Sequence, residues 1–223
     1  MKRLADDVEQ LDGFPPNAVN IYLAGGVLFD AGTRDRRSGI LKELSGRSVQ
    51  AHALTHGHAD HQGSSASVSQ SLGIPFACGA LEADALASGA IGPLSPSNFF
   101  AQFVAKRMAG PACRVARRLT EGDEIGGFRV VGVPGHSPGH IAYWRESDRV
   151  LILGDVLTNM NLFTLQPGLH QPPGFFTVDP GQNRRSARRL VELGIEPALV
   201  CFGHGPPLRD PKAFTNFILA LPE

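Results

Sequence analysis

Hydrophobic and polar positions along the chain follow two rhythms, a period of two for strands and a period of three to four for helices. Residues 1–18 carry neither clearly and read as a short lead-in ending at FPPN. Segments 19–23 (VNIYL) and 27–30 (VLFD) flank the turn AGG and predict a β-hairpin. Apolar spacing at Ile40, Leu41 and Leu44 predicts a helix over 34–45, and 51–55 (AHALT) is a short buried strand. A small, polar helix follows at 62–72, then a strand at 76–78 and a helix at 80–87. Gly, Pro and Ser make 88–97 a loop. Apolar residues at 99, 100, 103, 104 and 108 predict an amphipathic helix over 98–108, with Phe99 and Phe103 turned to the core.

Further strands are expected at 113–117, 124–133, 141–145 and 149–153. Residues 156–180 show no period but hold Pro167, Pro172, Pro173, Phe163, Phe175 and Phe176, an apolar loop of a length that is uncommon unless functional. A helix at 181–193, a strand at 198–202 and a helix at 211–221 close the chain. The second half partly repeats the element order of the first. The expectation is one domain over 1–223, mixed α/β, with two sheets and helices outside them.

Composition narrows the function classes. Lys plus Arg and Asp plus Glu are 21 each, so the formal charge is zero and a globally basic nucleic-acid binder is disfavoured. The arginines at 114, 117 and 118, and at 184, 185, 188 and 189, read as solvated faces. The 26 glycines and 17 prolines imply many loops. Cys78, Cys113 and Cys201 form no CxxC pair, which favours a reducing compartment. No signal peptide and no bilayer-length apolar run is readable, so a cytoplasmic, non-membrane protein is expected.

The chemistry concentrates in His56-Gly57-His58-Ala59-Asp60-His61, directly after the strand 51–55. In an extended segment His56 and His58 point the same way and can reach one metal. Asp60 and His61 lie further along and can face a second position. Imidazole and carboxylate suit zinc, iron and manganese. His136 in PGHSPGH, Asp155 in LILGD and His204 in CFGHG also follow strands directly. Loops at strand exits converge on one sheet edge, where sites gather.

These motifs resemble the metallo-β-lactamase fold superfamily: His56-x-His58-x-Asp60-His61, then single His136, Asp155 and His204, in the family's order from about residue 19 to 206. The resemblance implies a four-layer αββα sandwich of two mixed β-sheets with a metal centre at one edge. It implies that His56, His58 and His136 hold one metal, that Asp60, His61 and His204 hold a second, and that Asp155 bridges them. Asp155 resembles the bridging acid of the glyoxalase-II, lactonase and phosphodiesterase branches, which true zinc β-lactamases usually lack. About 20 residues follow His204, short of the helical substrate domain usual in glyoxalase II.

The expected function is therefore a hydrolase with two divalent ions, zinc first and manganese or iron as alternatives. The two ions, the two aspartates and a hydroxide sum to a charge of roughly +1, which suits a developing oxyanion. That hydroxide would attack an ester, thioester, lactone or related bond of a carbonyl-containing or anionic small molecule. Asp60 is the catalytic candidate, orienting the nucleophile or moving its proton. The alternatives are a one-iron dioxygenase of the persulfide dioxygenase type and a phosphodiesterase.

His140, four residues after His136, is a candidate supporting or substrate-contacting residue. His170 is a substrate-contact candidate, and Asp30 a brace for the ligand loop. His52 reads as a packed core histidine. The substrate wall is expected from 88–112 and 156–180, with Phe99, Phe100, Phe163, Phe175 and Phe176 giving it aromatic character. A homo-oligomer is compatible with all of this.

Overall fold

The computed structural model describes residues 1–223. Seven strands form the first sheet in chain order: β1 (Lys2–Ala5), β2 (Val8–Gln10), β3 (Tyr22–Ala24), β4 (Val27–Phe29), β5 (Ala51–Ala53), β6 (Phe76–Gly79) and β7 (Arg117–Leu119). Pairing is antiparallel from β1 to β4 and parallel from β4 to β7. The second sheet holds β8 (Glu124–Ile125), β9 (Phe128–Gly132), β10 (Ile141–Arg145) and β11 (Val150–Gly154). A separate two-stranded ribbon, β12 (Thr158–Met160) with β13 (Pro167–His170), follows. The strand β14 (Leu199–Phe202) then returns to the second sheet, parallel to β11.

Alternation along the strands explains the layering. Tyr22, Ala24, Val27, Phe29, Val130, Tyr143, Ile152 and Cys201 belong to one core of 17 buried residues between the sheets. Their neighbours Leu23, Leu28, Val131, Trp144, Leu151 and Val200 point the other way, into cores beneath the outer helices. Strands buried on both faces need continuous apolar runs such as VLILG. Helices α1 (Arg37–Glu43), α2 (Ala59–Gln62), α3 (Ser65–Leu72), α4 (Ala83–Ser88) and α5 (Phe99–Met108) accompany the first sheet. Helices α6 (Pro180–Glu192) and α7 (Pro211–Leu219) cover the second. Both begin at an Asp N-cap with Pro at the first helical position. The architecture is the αββα sandwich. No helix is long and apolar enough to cross a membrane.

Several readings are corrected. The lead-in is the β1–β2 hairpin, anchored by Leu4 and Val8 in the inter-sheet core. The strand expected at 113–117 lies at 117–119 and buries only Leu119. Gly126 and Gly127 break 124–133 into β8 and β9. The apolar loop 156–180 contains the β12–β13 ribbon and a 3₁₀ turn at 174–176.

Two tyrosines stitch the sheets together near the ligand loops. Tyr143 Oη donates to Leu54 O at 2.5 Å, and Tyr22 Oη donates to Phe202 O at 2.8 Å. Each accepting carbonyl lies two residues before a ligand candidate, His56 and His204. The exits of β5, β9, β11 and β14 thus meet at one edge of the sandwich.

Candidate metal centre

Beyond β5 the backbone passes through His56 and Gly57 before His58 caps α2 in an extended conformation. Gly57 suits this tight passage, because a Cβ would lie 2.4 Å from the Leu94 side chain and 3.1 Å from Glu82 Oε2, so that both would have to shift. Gly203 is required opposite, where a Cβ would come 2.0 Å from Asp155 Oδ1. Both glycines let backbone approach a crowded polar cluster.

The cluster contains all seven ligand candidates. Ligand atoms lie within 4.8 Å of one another in three groups: His56, His58 and His136; His56, His61 and Asp155; Asp60, His61 and His204. Asp155 Oδ2 sits in the middle, 3.0 Å from His204 Nε2 and 3.5 Å from Nε2 of both His61 and His136. Asp60 Oδ2 lies 3.4 Å from His204 Nε2 and 3.9 Å from His61 Nε2.

The outward-facing nitrogens decide the tautomers. His58 Nε2 donates to Leu94 O at 3.0 Å, and His204 Nδ1 donates to Ala18 O. His61 Nδ1 donates to Asp30 Oδ2 at 2.9 Å. Thr177 Oγ1 gives its own proton to Pro173 O, so it accepts from His136 Nδ1 at 3.1 Å. Thr55 Oγ1 likewise gives its proton to Asp30 and accepts from His56 Nδ1 at 3.1 Å. In its neutral form each of the five imidazoles therefore aims a lone pair inward. Nε2 of His56, His61 and His136 and Oδ1 of Asp155 are buried with no hydrogen-bond partner. Such orphaned acceptors are what a cation would satisfy, and the borderline nitrogen and oxygen donors fit one.

The two ends of the cluster differ electrically. Burial, reinforced by neighbouring histidines, pushes His56 and His136 well below the usual imidazole range. At the other end burial opposes charging, but Asp155 and Asp60 outweigh it and raise His204 to about 10 and His61 well above its ordinary value. Burial would raise the Asp155 carboxyl, yet His204 and His61 hold it well below the carboxylate range. A cation here competes with those protons.

Other sequence candidates take supporting places. Asp30 receives Thr55 N at 2.8 Å as well as His61, joining the strand exit to that ligand candidate. His140 Nε2 accepts from Asp155 N at 3.0 Å, and its ring stacks on His56 at 4.7 Å. Burial lowers His140 to about 3, which keeps it the neutral acceptor this contact needs. His170 lies on β13 opposite Thr158 and does not line the cavity beside the cluster. His52 packs in the core with both nitrogens bonded, to Leu28 O and Ser65 Oγ.

Glu82 was not among the candidates. It is buried, receives Gly57 N at 2.6 Å and Gly139 N at 3.0 Å, and accepts from Ser137 Oγ. One carboxylate thereby ties the ligand loop of the first sheet to that of the second. Its sequence signal is weak, since it is one of two acids, with Asp84, in the helical stretch ALEADALA.

A cavity of about 260 Å³ opens over His58, Asp60, His136, Asp155 and His204. Its far wall comes from 95–108 and 162–176. The expected aromatic lining is corrected: only Phe176 lines it, while Phe99, Phe100, Phe163 and Phe175 are exposed. Phe99 and Phe103, expected in the core, are 86% and 51% exposed, because α5 buries its alanines 101 and 105 instead.

The chain is similar in sequence and fold to several known proteins. A probable metallo-hydrolase of Bacillus subtilis (strain 168), YflN, is 27% identical over 202 residues, 82% of this chain and 76% of that protein. The crystal structure of the B3 metallo-beta-lactamase BLEG-1 superposes with a TM-score of 0.68 at 26% identity, covering 90% of this chain and 93% of that one. TTHA1623, solved in a di-iron-bound form, superposes with a TM-score of 0.61 at 29% identity, covering 86% and 89%. The sequence pattern of the metallo-beta-lactamase superfamily matches residues 14–204, and this chain belongs to that superfamily.

Proposed function

We propose that the chain is a metal-dependent hydrolase that binds two divalent cations and cleaves an ester, thioester or lactone bond of a small molecule with water. The observation that carries this reading is the set of five histidines whose outer nitrogens are all engaged and whose inner nitrogens face two carboxylates. His56, His58 and His136 would hold one cation, Asp60, His61 and His204 the other, with Asp155 between them. Zinc suits the donors best, and manganese or iron fits the same set. When bound, the cations supply a water acidic enough to act near neutral pH and a Lewis-acid hold on the substrate carbonyl.

Asp60 stands on the cavity wall beside that reaction space. Burial opposes its ionisation, but His61 and His204 outweigh burial and hold its carboxyl low. It serves as a charged acceptor that orients the attacking water more than as a strong base. The three cysteines are free and buried, which fits a reducing, cytoplasmic setting.

A one-iron dioxygenase would leave the Asp60–His61–His204 group without a role, and metal counting separates the readings. Purified protein is expected to carry about two zinc, manganese or iron ions per chain. Chelation should abolish hydrolysis of p-nitrophenyl acetate, and added zinc or manganese should restore it. Undiminished turnover by metal-free protein, or one iron with dioxygen consumption, overturns the proposal.

A further inference from the structure

Resting on the hydrolase reading, we infer that the part of the substrate remote from the scissile bond is an uncharged hydrocarbon chain, so that the enzyme acts on aliphatic acyl esters, thioesters or lactones. The far wall of the cavity carries the argument. Ala101, Val104, Ala105 and Met108 of α5 line it at the i, i+3, i+4, i+7 spacing of one helix face. Leu162, Pro172, Pro173 and Phe176 close the other side. Outside the ligand candidates the only polar side chain in the lining is Ser95.

No lysine or arginine lines the cavity, and its only carboxylates, Asp60 and Asp155, belong to the metal centre. A remote carboxylate or phosphate on the substrate would be desolvated there without a counter-charge, which is costly. A methylene chain loses nothing by the same transfer and gains from it.

The wall is fixed in place. Asn98 Nδ2 donates to Phe175 O at 2.7 Å, while Asn98 Oδ1 caps α5 by accepting from Ala101 N at 2.9 Å. Gln102 Nε2 donates to Gly92 O and Pro96 O, both at 2.9 Å. Thr177, next to Phe176, accepts from the ligand candidate His136. The apolar surface is therefore registered to the reacting end.

A route outward continues from Phe176. Its ring lies 5.7 Å from Phe100 and 4.4 Å from Phe175, and Phe175 lies 5.9 Å from Phe163. These last three rings are exposed. A chain too long for the cavity would lie along them.

The test has two readouts. With metal-loaded protein, kcat/KM for p-nitrophenyl esters from acetate to decanoate should rise about three- to fourfold for each methylene buried, then level off. p-Nitrophenyl hemiglutarate, with a terminal carboxylate, should fall well below the pentanoate ester. Val104→Lys should flatten the chain-length series and raise hemiglutarate relative to pentanoate. Independently of turnover, calorimetry on metal-free protein should show 1-octanol binding on the order of 100-fold more tightly than 1-butanol, and Val104→Lys should remove the difference.

A flat ester series, or hemiglutarate preferred by the unsubstituted protein, overturns the hydrocarbon assignment while metal-dependent acetate hydrolysis leaves the hydrolase reading standing. Octanol binding without metal-dependent hydrolysis of any ester does the reverse: the hydrocarbon cavity stands and the hydrolase reading falls.

Discussion

The candidate metal edge and the apolar wall face each other across one cavity, and they are built on opposite principles. At the edge every imidazole spends one nitrogen on an acceptor and keeps the other free, and the acceptors come from five separate places in the chain. At the wall Ser95 is the one lining side chain that can hydrogen-bond to the cavity, and the largest apolar groups turn outward to solvent. The edge is over-determined: moving one residue strands another buried polar group. The wall is determined only by shape and by the hydrogen bonds behind it. On the proposed reading, the edge sets what reaction is possible, and the wall sets which molecule undergoes it.

If the edge is over-determined, removing a single strut should be felt at both loops. Glu82→Ala would leave the buried Gly57 N–H and Gly139 N–H and the Ser137 hydroxyl without their acceptor. Each such orphan costs about 1–3 kcal/mol, and the desolvation cost of the removed carboxylate offsets part of the sum, so the expected loss is roughly 3–5 kcal/mol of unfolding free energy, with weaker metal retention. Glu82→Gln should lose less stability, since one amide oxygen still accepts, but its NH₂ group must face a backbone N–H. Urea unfolding of the metal-free protein, with metal affinity measured alongside, gives the result. A Glu82→Ala protein within about 0.5 kcal/mol of the parent would show that the loops hold themselves.

The same contrast explains what could be read before the structure. The ligand candidates were legible because they cluster beside strand exits, four of them within His56–His61, and because an imidazole has few structural uses there. Of their acceptors, Asp30 was legible as a brace, but the others were not: Ala18 O and Leu94 O are backbone carbonyls, and Thr177 lies 41 residues from His136. No residue type marks a carbonyl as a ligand's partner. Apolar runs marked most strands, but not β1 and β2, whose buried apolar residues Leu4 and Val8 stand among charged and polar ones. The face of α5 was misread for a related reason. Phe99 and Phe103 dominate any hydrophobic pattern, whereas the buried face is made by Ala101 and Ala105, which weigh little in it. Beneath α5 lie the cavity and, at Ala105, a core with Ile91 and Leu94, and both are met by its small side chains.

His52 sharpens the comparison from inside the strand that feeds the edge. It is buried like the ligand candidates, but both nitrogens are bonded: Nδ1–H donates to Leu28 O at 2.9 Å, and Nε2 accepts from Ser65 Oγ at 2.8 Å. Burial pushes it down to about 4 from an ordinary 6.5. Between those two pH values the unfolded chain binds a proton that the folded chain refuses, so stability falls as pH falls. The contribution is complete above about pH 6.5 and is lost as pH drops through about 4, an upper limit of about 3 kcal/mol. His52→Asn removes the titrating group. The stability difference between parent and His52→Asn should therefore shrink across this window, while acid effects on the metal centre cancel between the two proteins. A difference that stays constant with pH would mean that His52 accepts its proton in place.

The smallest expected effect belongs to the wall's outer side. Phe99 is 86% exposed, and its one aromatic neighbour is Phe103, stacked at 6.4 Å and itself half exposed. It neither lines the cavity nor joins the rings leading out from Phe176. Phe99→Ser removes almost no buried surface and keeps the Asn98 cap, so unfolding free energy should change by no more than about 0.5 kcal/mol. Esterase activity on p-nitrophenyl acetate should stay within twofold, which the same ester assay checks. A loss approaching that of Glu82→Ala would mean that the outer aromatics hold α5 against the ligand loops. The wall would then be as over-determined as the edge, and the division between a part that sets the reaction and a part that sets the substrate would fail.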